Sequence, residues 1–140
     1  EVPYTPGRLE ARGIVGGVAK ASNELRTAGA PAQLILTADR KAVHSDGRDL
    51  SYLDVVIADK DGVPVPNEDQ QITFQIDGPG KIIGVDNGDL TSMESYKGNS
   101  RKTLHGRAQA IIQTTRQAGR ITINAEAEGL NSSEITLESR

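Results

Sequence analysis

The feature that most constrains the fold is a two-residue alternation of apolar and polar side chains, repeated in seven short segments. Within residues 120–127, Ile121 and Ile123 fall on one face of an extended strand, whereas Thr122 and Asn124 fall on the other. Such alternation is typical of strands with one buried and one solvated face, as in antiparallel sheets. The segments that we predict as strands are QLILTA (33–38), YLDVVIA (52–58), QITFQI (71–76), KIIGV (81–85), RAQAIIQTT (107–115), RITINAEA (120–127) and SEITLES (133–139).

Turn-forming residues separate these segments at short intervals. Residues 106–119, which are rich in Ala and Gln, could form a helix by propensity, but the central IIQTT and the flanking glycines favour a strand. No other stretch shows a sustained helical period. Many short strands joined by Gly, Asp and Asn turns predict an all-β fold of the sandwich type. The turn segments are SDGRD (45–49), DKDG (59–62), DGPG (77–80), DNGD (86–89), QAG (117–119) and EGLN (128–131).

The first thirty residues are organised differently. Two strand-like segments, RLEARGI (8–14) and VAKASNEL (18–25), flank Gly16–Gly17, a dipeptide typical of a two-residue hairpin turn. A two-stranded hairpin is marginally stable on its own in water. We therefore expect this hairpin to pack on the sandwich or on another copy of the chain.

The segment AGAP (28–31) has the composition of a linker and places a boundary near Gly29. We predict two parts: the hairpin with its linker over residues 1–29, and a β-sandwich domain over residues 30–140.

Composition excludes several classes of function. The chain has 140 residues with no Cys, no Trp, one Phe and a net charge of −3. Without Cys there are no disulfides, no thiolate nucleophile and no cysteine-ligated metal. The charges are scattered, so there is no basic stripe for nucleic acid and no polybasic patch for a membrane. No apolar run approaches the ~18 residues that span a bilayer.

Two acidic segments, GVDNGD (84–89) and DKDGVPVPNED (59–69), are candidates for calcium or carboxylate chemistry. Calcium requires about six to eight oxygen ligands, and an EF-hand loop has acids at alternate positions. In the first segment Gly88 comes too early for that pattern. In the second the third acidic position is missing, and Pro64 and Pro66 favour an extended path. We interpret both segments as turns.

Within the first turn, we expect Asn87–Gly88 to reverse the backbone and Asp86 and Asp89 to cap amides. The two histidines, His44 and His105, are far apart in the sequence and lack the spacing of metal ligands. We predict no catalytic residue, no metal and no cofactor in this chain.

Carbohydrate binding needs an aromatic face on which a sugar ring can stack. The best polar-aromatic surface in the sequence is Tyr96 with Lys97, Asn99 and Arg101, which we name as possible ligand or interdomain contacts. The alternative is a long connection between strands that packs against its own tyrosine.

The order of these motifs resembles the C-terminal immunoglobulin-like domain of family 2 glycoside hydrolases, chiefly bacterial β-galactosidases. The resemblance covers residues 31–138, and residues 1–29 are similar to the last hairpin of the domain that precedes it in those enzymes. It implies an immunoglobulin-like antiparallel β-sandwich of about seven to nine strands, preceded by a β-hairpin. The motifs are LTADR (36–40), DGRDLSY (46–52), VIADKDGVPVP (56–66), GPGKIIGVDNGD (78–89), ESYKGNSRKTLHGRAQAII (94–112) and AGRITINAEAEGL (118–130).

In that family, two glutamates on a separate TIM barrel carry out catalysis, and nothing in this chain matches the motifs around them. The resemblance therefore implies a non-catalytic accessory domain whose partners are the other domains of a retaining β-galactosidase-like enzyme. It favours a periplasmic or extracellular location. Two alternatives stay open on the same sandwich: a carbohydrate-binding module, and an adhesion-type module that binds protein partners. Self-association through the N-terminal hairpin is also possible, whereas nucleic acid and membrane partners are not expected.

Overall fold

A computed structural model describes residue 3 and residues 5–140 of the chain, and every regular element in this part is a β-strand. These strands form one isolated hairpin and a sandwich of two sheets. The strands are β1 (Arg8–Val15), β2 (Val18–Arg26), β3 (Pro31–Ala38), β4 (Ala42–Val43), β5 (Leu50–Asp59), β6 (Gln71–Asp77), β7 (Gly80–Asp86), β8 (Ser100–Lys102), β9 (Arg107–Thr114), β10 (Gly119–Glu126) and β11 (Ser133–Ser139).

The sandwich contains nine strands, in agreement with the expected seven to nine. One sheet has the order β4-β11-β10-β6-β8 and the other the order β3-β5-β9-β7. All neighbours are antiparallel except β4 and β11. The seven predicted strands are confirmed, including β9, for which a helix had been the alternative. Strands β4 and β8 were not predicted.

The core lies between the two sheets and consists mainly of β-branched and aliphatic side chains. Ile121 and Ile123 of β10, predicted to share one face, are fully buried, and so are Ile72 and Phe74 of β6. Burying an aliphatic or aromatic side chain of this size contributes about 1.5–3 kcal/mol. Their partners from the opposite sheet include Leu53, Val55, Ile57, Val85, Ala110 and Ile112.

The N-terminal hairpin is present as predicted, but β1 and β2 do not lie on the sandwich. Their side chains are almost all exposed. A cleft of about 730 Å³ separates the base of the hairpin, near Leu9 and Leu25, from the Pro64–Asn67 segment of the sandwich. The expectation that the hairpin packs on the sandwich is therefore wrong for this structure, whereas association with another copy remains a prediction.

The linker that follows the hairpin is fixed to the sandwich by one carboxylate. Asp59, only 4% exposed at the end of β5, accepts a hydrogen bond at Oδ2 from the Gly29 amide (2.7 Å). Its Oδ1 accepts from the amides of Asp61 and Val63, both at 2.9 Å. The bond from Gly29, followed by that from Val63, holds the pKa of the Asp59 carboxyl below its ordinary value. The DKDG segment is thus a turn closed by Asp59, as interpreted from the sequence.

Candidate functional site

The GVDNGD segment leaves β7 as a tight turn closed by its own side chains. Asp86 Oδ1 accepts hydrogen bonds from the amides of Asn87 (2.7 Å) and Gly88 (3.1 Å). Gly88 adopts φ 77°, a left-handed conformation that glycine tolerates without strain. Asp89 Oδ1 accepts from the amide (2.9 Å) and hydroxyl (2.7 Å) of Thr91. The capping roles expected for Asp86 and Asp89 are therefore confirmed.

The hydrogen bonds from Thr91 also affect the pKa of the Asp89 carboxyl. The Thr91 hydroxyl, with its backbone amide, holds the pKa of the Asp89 carboxyl below its ordinary value. A carboxylate held in its ionised form by local donors is a structural acceptor and a poor general acid. Within residue 3 and residues 5–140, no group of three or more His, Cys, Asp or Glu side chains is arranged to hold a metal ion.

Arg101 is the largest fully buried side chain among the described residues. It lies on β8 opposite Ile72 of β6, and this register directs it inward with the core residues. Its Nη1 donates to the Glu94 carbonyl oxygen (3.1 Å), and its Nη2 donates to Asn87 Oδ1 (2.8 Å). The carboxylates of Asp86 and Glu94 lie at 3.8 Å and 3.7 Å from the guanidinium. Arg101 thus ties the start of the connection between β7 and β8, which we name the 87–99 loop, to its middle at Glu94.

The structure places the four predicted contact residues in different environments. Tyr96 is half exposed, and the guanidinium carbon of Arg101 lies 4.9 Å from its ring centroid, a cation–π geometry. Lys97 and Asn99 are exposed, but the Asn99 side-chain amide donates to the Phe74 carbonyl oxygen (3.1 Å). Arg101 is buried beneath the loop and does not belong to the exposed surface that we expected. A ligand or interdomain contact at Tyr96, Lys97 and Asn99 remains a prediction.

Sequence reasoning missed the residue that links the turn to the loop. Asn87 Oδ1 accepts from Arg101 Nη2 and from the Asp89 amide (2.9 Å), while its Nδ2 donates to the Lys102 carbonyl oxygen (2.9 Å). The sequence predicts for Asn87 only a part in reversing the backbone. No local pattern marks its second role, because its partners Arg101 and Lys102 lie on another strand.

Two apolar residues of the 87–99 loop were also overlooked. Leu90 is 94% exposed and Met93 is 98% exposed, the highest values for any large apolar side chain among the described residues. Leu90 follows the GVDNGD turn directly, and Met93 comes three positions later. A sequence signal existed, since both interrupt an otherwise polar loop.

A shallow cleft of about 280 Å³ opens beside the GVDNGD turn, on the outer face of the β3-β5-β9-β7 sheet. Gln109 Nε2 donates to Asp54 Oδ1 across the strands (2.8 Å). The lining offers carboxylates, amides and one guanidinium, but no serine, threonine or histidine that could form a nucleophile–base pair. It is lined by Asp54, Asp86, Asn87, Gly88, Arg107, Ala108 and Gln109.

Neither of the two histidines, His44 and His105, is among the residues that line this cleft. His44 follows β4 and is exposed. His105 is exposed in the turn before β9 and adopts φ 53°. In the described part of the chain, no helix is long and apolar enough to cross a bilayer.

Comparison with known proteins identifies the origin of this architecture. The family model for glycoside hydrolase family 2 C-terminal domain 5 matches residues 34–136. β-Galactosidase BoGH2A from Bacteroides ovatus is 36% identical over 129 residues, which are 92% of this chain and 15% of that protein. A β-glucuronidase from Formosa agariphila is 28% identical over 145 residues, 99% of this chain and 14% of that protein.

A solved structure shows the same relationship in three dimensions. The glycosyl hydrolase family 2 member from Bacteroides cellulosilyticus superposes with a TM-score of 0.90 at 32% identity. The superposition covers 99% of this chain, hairpin included, but 18% of that chain. This chain therefore spans less than a fifth of the length of each of these three proteins. With its sandwich, its motifs and its family model in agreement, the chain belongs to the C-terminal domain 5 family of family 2 glycoside hydrolases.

Proposed function

We propose that this chain is a non-catalytic accessory domain of a larger family 2 glycoside hydrolase, in which it positions neighbouring domains. Its relatives are a β-galactosidase and a β-glucuronidase of which it matches about one seventh. The parent would then cleave terminal β-linked sugars, with catalysis carried out outside this chain. The observation that carries the proposal is the uncovered apolar face of the N-terminal hairpin.

That hairpin has one charged face and one apolar face. On the charged face Glu24 pairs with Arg8 (2.6 Å) and with Arg26, and Glu10 pairs with Arg8 (3.1 Å) and Arg12 (2.7 Å). Such an ion-pair ladder is suited to solvent, where exposed pairs contribute little to stability. This face needs no partner.

The opposite face is mainly apolar, with Asn23 as its polar member. Leu9 and Leu25 are a cross-strand pair, 68% and 67% exposed, and Ala11 and Ala21 continue the same face towards the turn. Because burial of one leucine contributes about 1.5–3 kcal/mol, leaving the pair in water forgoes a large share of the stability that a hairpin can have. A face of this kind is typical of a strand pair that belongs to an interface.

The carboxylates of this chain support a structural role. A retaining glycosidase needs two carboxyl groups about 5–5.5 Å apart, one acting as nucleophile and one as acid. Here Asp59, Asp86 and Asp89 accept hydrogen bonds from backbone amides and close turns. Carboxylates used in this way are committed to the fold.

A carbohydrate-binding module is the second candidate. It is favoured by Tyr96, which is half exposed and is held in place by the buried Arg101 guanidinium. A rigid, half-exposed ring is the kind of platform on which a sugar can stack. Calorimetric titration of the chain with lactose separates the two candidates, because binding that is lost in Tyr96→Ala would favour the module.

The proposal is tested by placing charge on the apolar face of the hairpin. We expect Leu9→Asp with Leu25→Asp to lower the Tm of the full-length enzyme by several degrees, because the new carboxylates would have to be buried in an interface. In the isolated chain the same substitutions should change stability by only about 0.5 kcal/mol, since the side chains face water. Thermal unfolding of both proteins, followed by calorimetry, provides the comparison.

Ser22→Asp is the matched control. Ser22 lies opposite Arg12 on the charged face, so a carboxylate there meets a cation and solvent. It should leave both proteins unchanged within about 0.5 kcal/mol. Equal, small effects of the leucine substitutions in enzyme and isolated chain would count against an interface at the hairpin.

A further inference from the structure

The 87–99 loop displays its two apolar side chains in an unusual manner. Leu90 and Met93 are 94% and 98% exposed, although they belong to a folded connection and not to a chain terminus. Single exposed apolar residues are common on protein surfaces. Two of them three positions apart on one short loop, both almost completely in water, form a projecting apolar contact point.

The loop is fixed on both sides of these residues. Before them, Asp89 accepts hydrogen bonds from the amide and the hydroxyl of Thr91. After them, the Glu94 carbonyl oxygen accepts from Arg101 Nη1 (3.1 Å). Further along, the Ser95 hydroxyl oxygen accepts from the Lys97 amide (3.1 Å). Leu90 and Met93 therefore lie on a loop whose conformation is fixed by hydrogen bonds on both sides of them.

Keeping the 87–99 loop in this conformation costs the isolated domain free energy. Arg101 is fully buried, and its Nε has no hydrogen-bond partner among the described residues. Burying a guanidinium is unfavourable unless its geometry is well satisfied, and ordering a loop costs conformational entropy. Neither cost is offset by burial of Leu90 or Met93 within the chain. An interface that needs the loop in this conformation would account for both.

We propose that Leu90 and Met93 form a second docking point, which inserts into an apolar recess on another domain of the same glycoside hydrolase. This inference rests on the proposed function. Partly exposed carboxylates, Asp89 and Glu94, adjoin the two apolar residues in the chain, so a recess with Lys or Arg at its rim fits best. A domain of the same polypeptide is favoured over a second copy, because covalent linkage gives it a high effective concentration. The relatives have ample room for such a domain, since this chain matches 18% of a solved one.

Met93 is the only methionine of the chain, which makes it a single-site probe of this contact. The rate of Met93 oxidation by hydrogen peroxide is measured by mass spectrometry of its peptide, in the isolated chain and in the full-length enzyme. The isolated chain should react at the rate of a free methionine at every protein concentration. In the enzyme the reaction should be about tenfold slower or more, as for a contact that is open about 10% of the time or less.

Leu90→Asp in the enzyme should bring the Met93 oxidation rate back towards that of the isolated chain. Gln117→Asp, an exposed position in the turn between β9 and β10, is the control and should leave the protection intact. Equal Met93 oxidation rates in enzyme and isolated chain would overturn the proposal. Protection in the isolated chain that grows with concentration would also overturn it, in favour of a second copy. Failure here, with the hairpin substitutions still destabilising the enzyme, would remove this docking point and leave the accessory role standing.

Discussion

Replacing Arg101 with alanine is expected to destabilise the isolated chain by about 2–4 kcal/mol. The substitution removes two hydrogen bonds donated by a cation, to the Glu94 carbonyl oxygen and to Asn87 Oδ1, and bonds of this type contribute about 1.5–3 kcal/mol each. It also empties the space of the largest fully buried side chain. Relief from burying a charge offsets part of this loss. Urea unfolding followed by far-ultraviolet circular dichroism measures the change.

Arg107→Ala is the matched control for this experiment. Arg107 is exposed on β9, and its guanidinium makes no hydrogen bond or ion pair with the residues that the structure describes. Its removal should change stability by no more than about 0.5 kcal/mol. Arg101→Leu separates volume from hydrogen bonding, since it refills the core but frees the loop. Amide exchange in the 87–99 loop should then speed up. An Arg101→Ala effect as small as that of Arg107→Ala would refute the role assigned to Arg101.

Replacing Gly78 with alanine should be at least as damaging, with a loss of about 3–5 kcal/mol. Gly78 lies in the turn between β6 and β7 at φ 98°, a conformation that costs an L-residue about 1–2 kcal/mol. A Cβ at this position would lie 2.1 Å from the backbone oxygen of Arg120. Because that oxygen belongs to β10, the clash can be relieved only by shifting the turn or the β10 strand.

Gly88→Ala isolates the contribution of that clash. Gly88 has a similar conformation, φ 77°, but a Cβ there would have nothing within 4 Å. It should cost only the backbone strain of about 1–2 kcal/mol. The difference between the two variants in urea unfolding measures the steric term. Equal losses would mean that the close approach of the β6–β7 turn to β10 does not constrain the fold.

Most of the sandwich could be predicted because its strands are long enough to show their period. Residues 71–77 and 119–126 alternate over seven or eight positions, and their buried side chains are those that the alternation selects. β4 and β8 have two and three residues, too few for any period to be read. Because β8 was not predicted, the burial of Arg101 was not predicted either. The register of β8 with β6 is what turns Arg101 inward.

The candidate site could likewise be predicted only where its hydrogen bonds join residues that are close in the sequence. The turn at residues 84–89 could be predicted since its bonds join residues one or two apart. The contact between Asn87 and Arg101 spans 14 residues and depends on how two strands of different sheets approach each other. The hairpin was predicted from Gly16–Gly17, but its position away from the sandwich was not. That position depends on the linker and on its hydrogen bond to Asp59. The alternation of apolar and polar residues in the sequence does not reveal such a contact.

The central claim, that this chain is an accessory part of a glycoside hydrolase and does not itself catalyse, is tested most directly by measuring turnover. The purified 140-residue chain and the full-length enzyme are compared at equal molar concentration on chromogenic β-galactoside and β-glucuronide substrates. The account predicts turnover by the enzyme on one of them and none above buffer by the isolated chain. Turnover by the isolated chain that co-purifies with it through every purification step would contradict it.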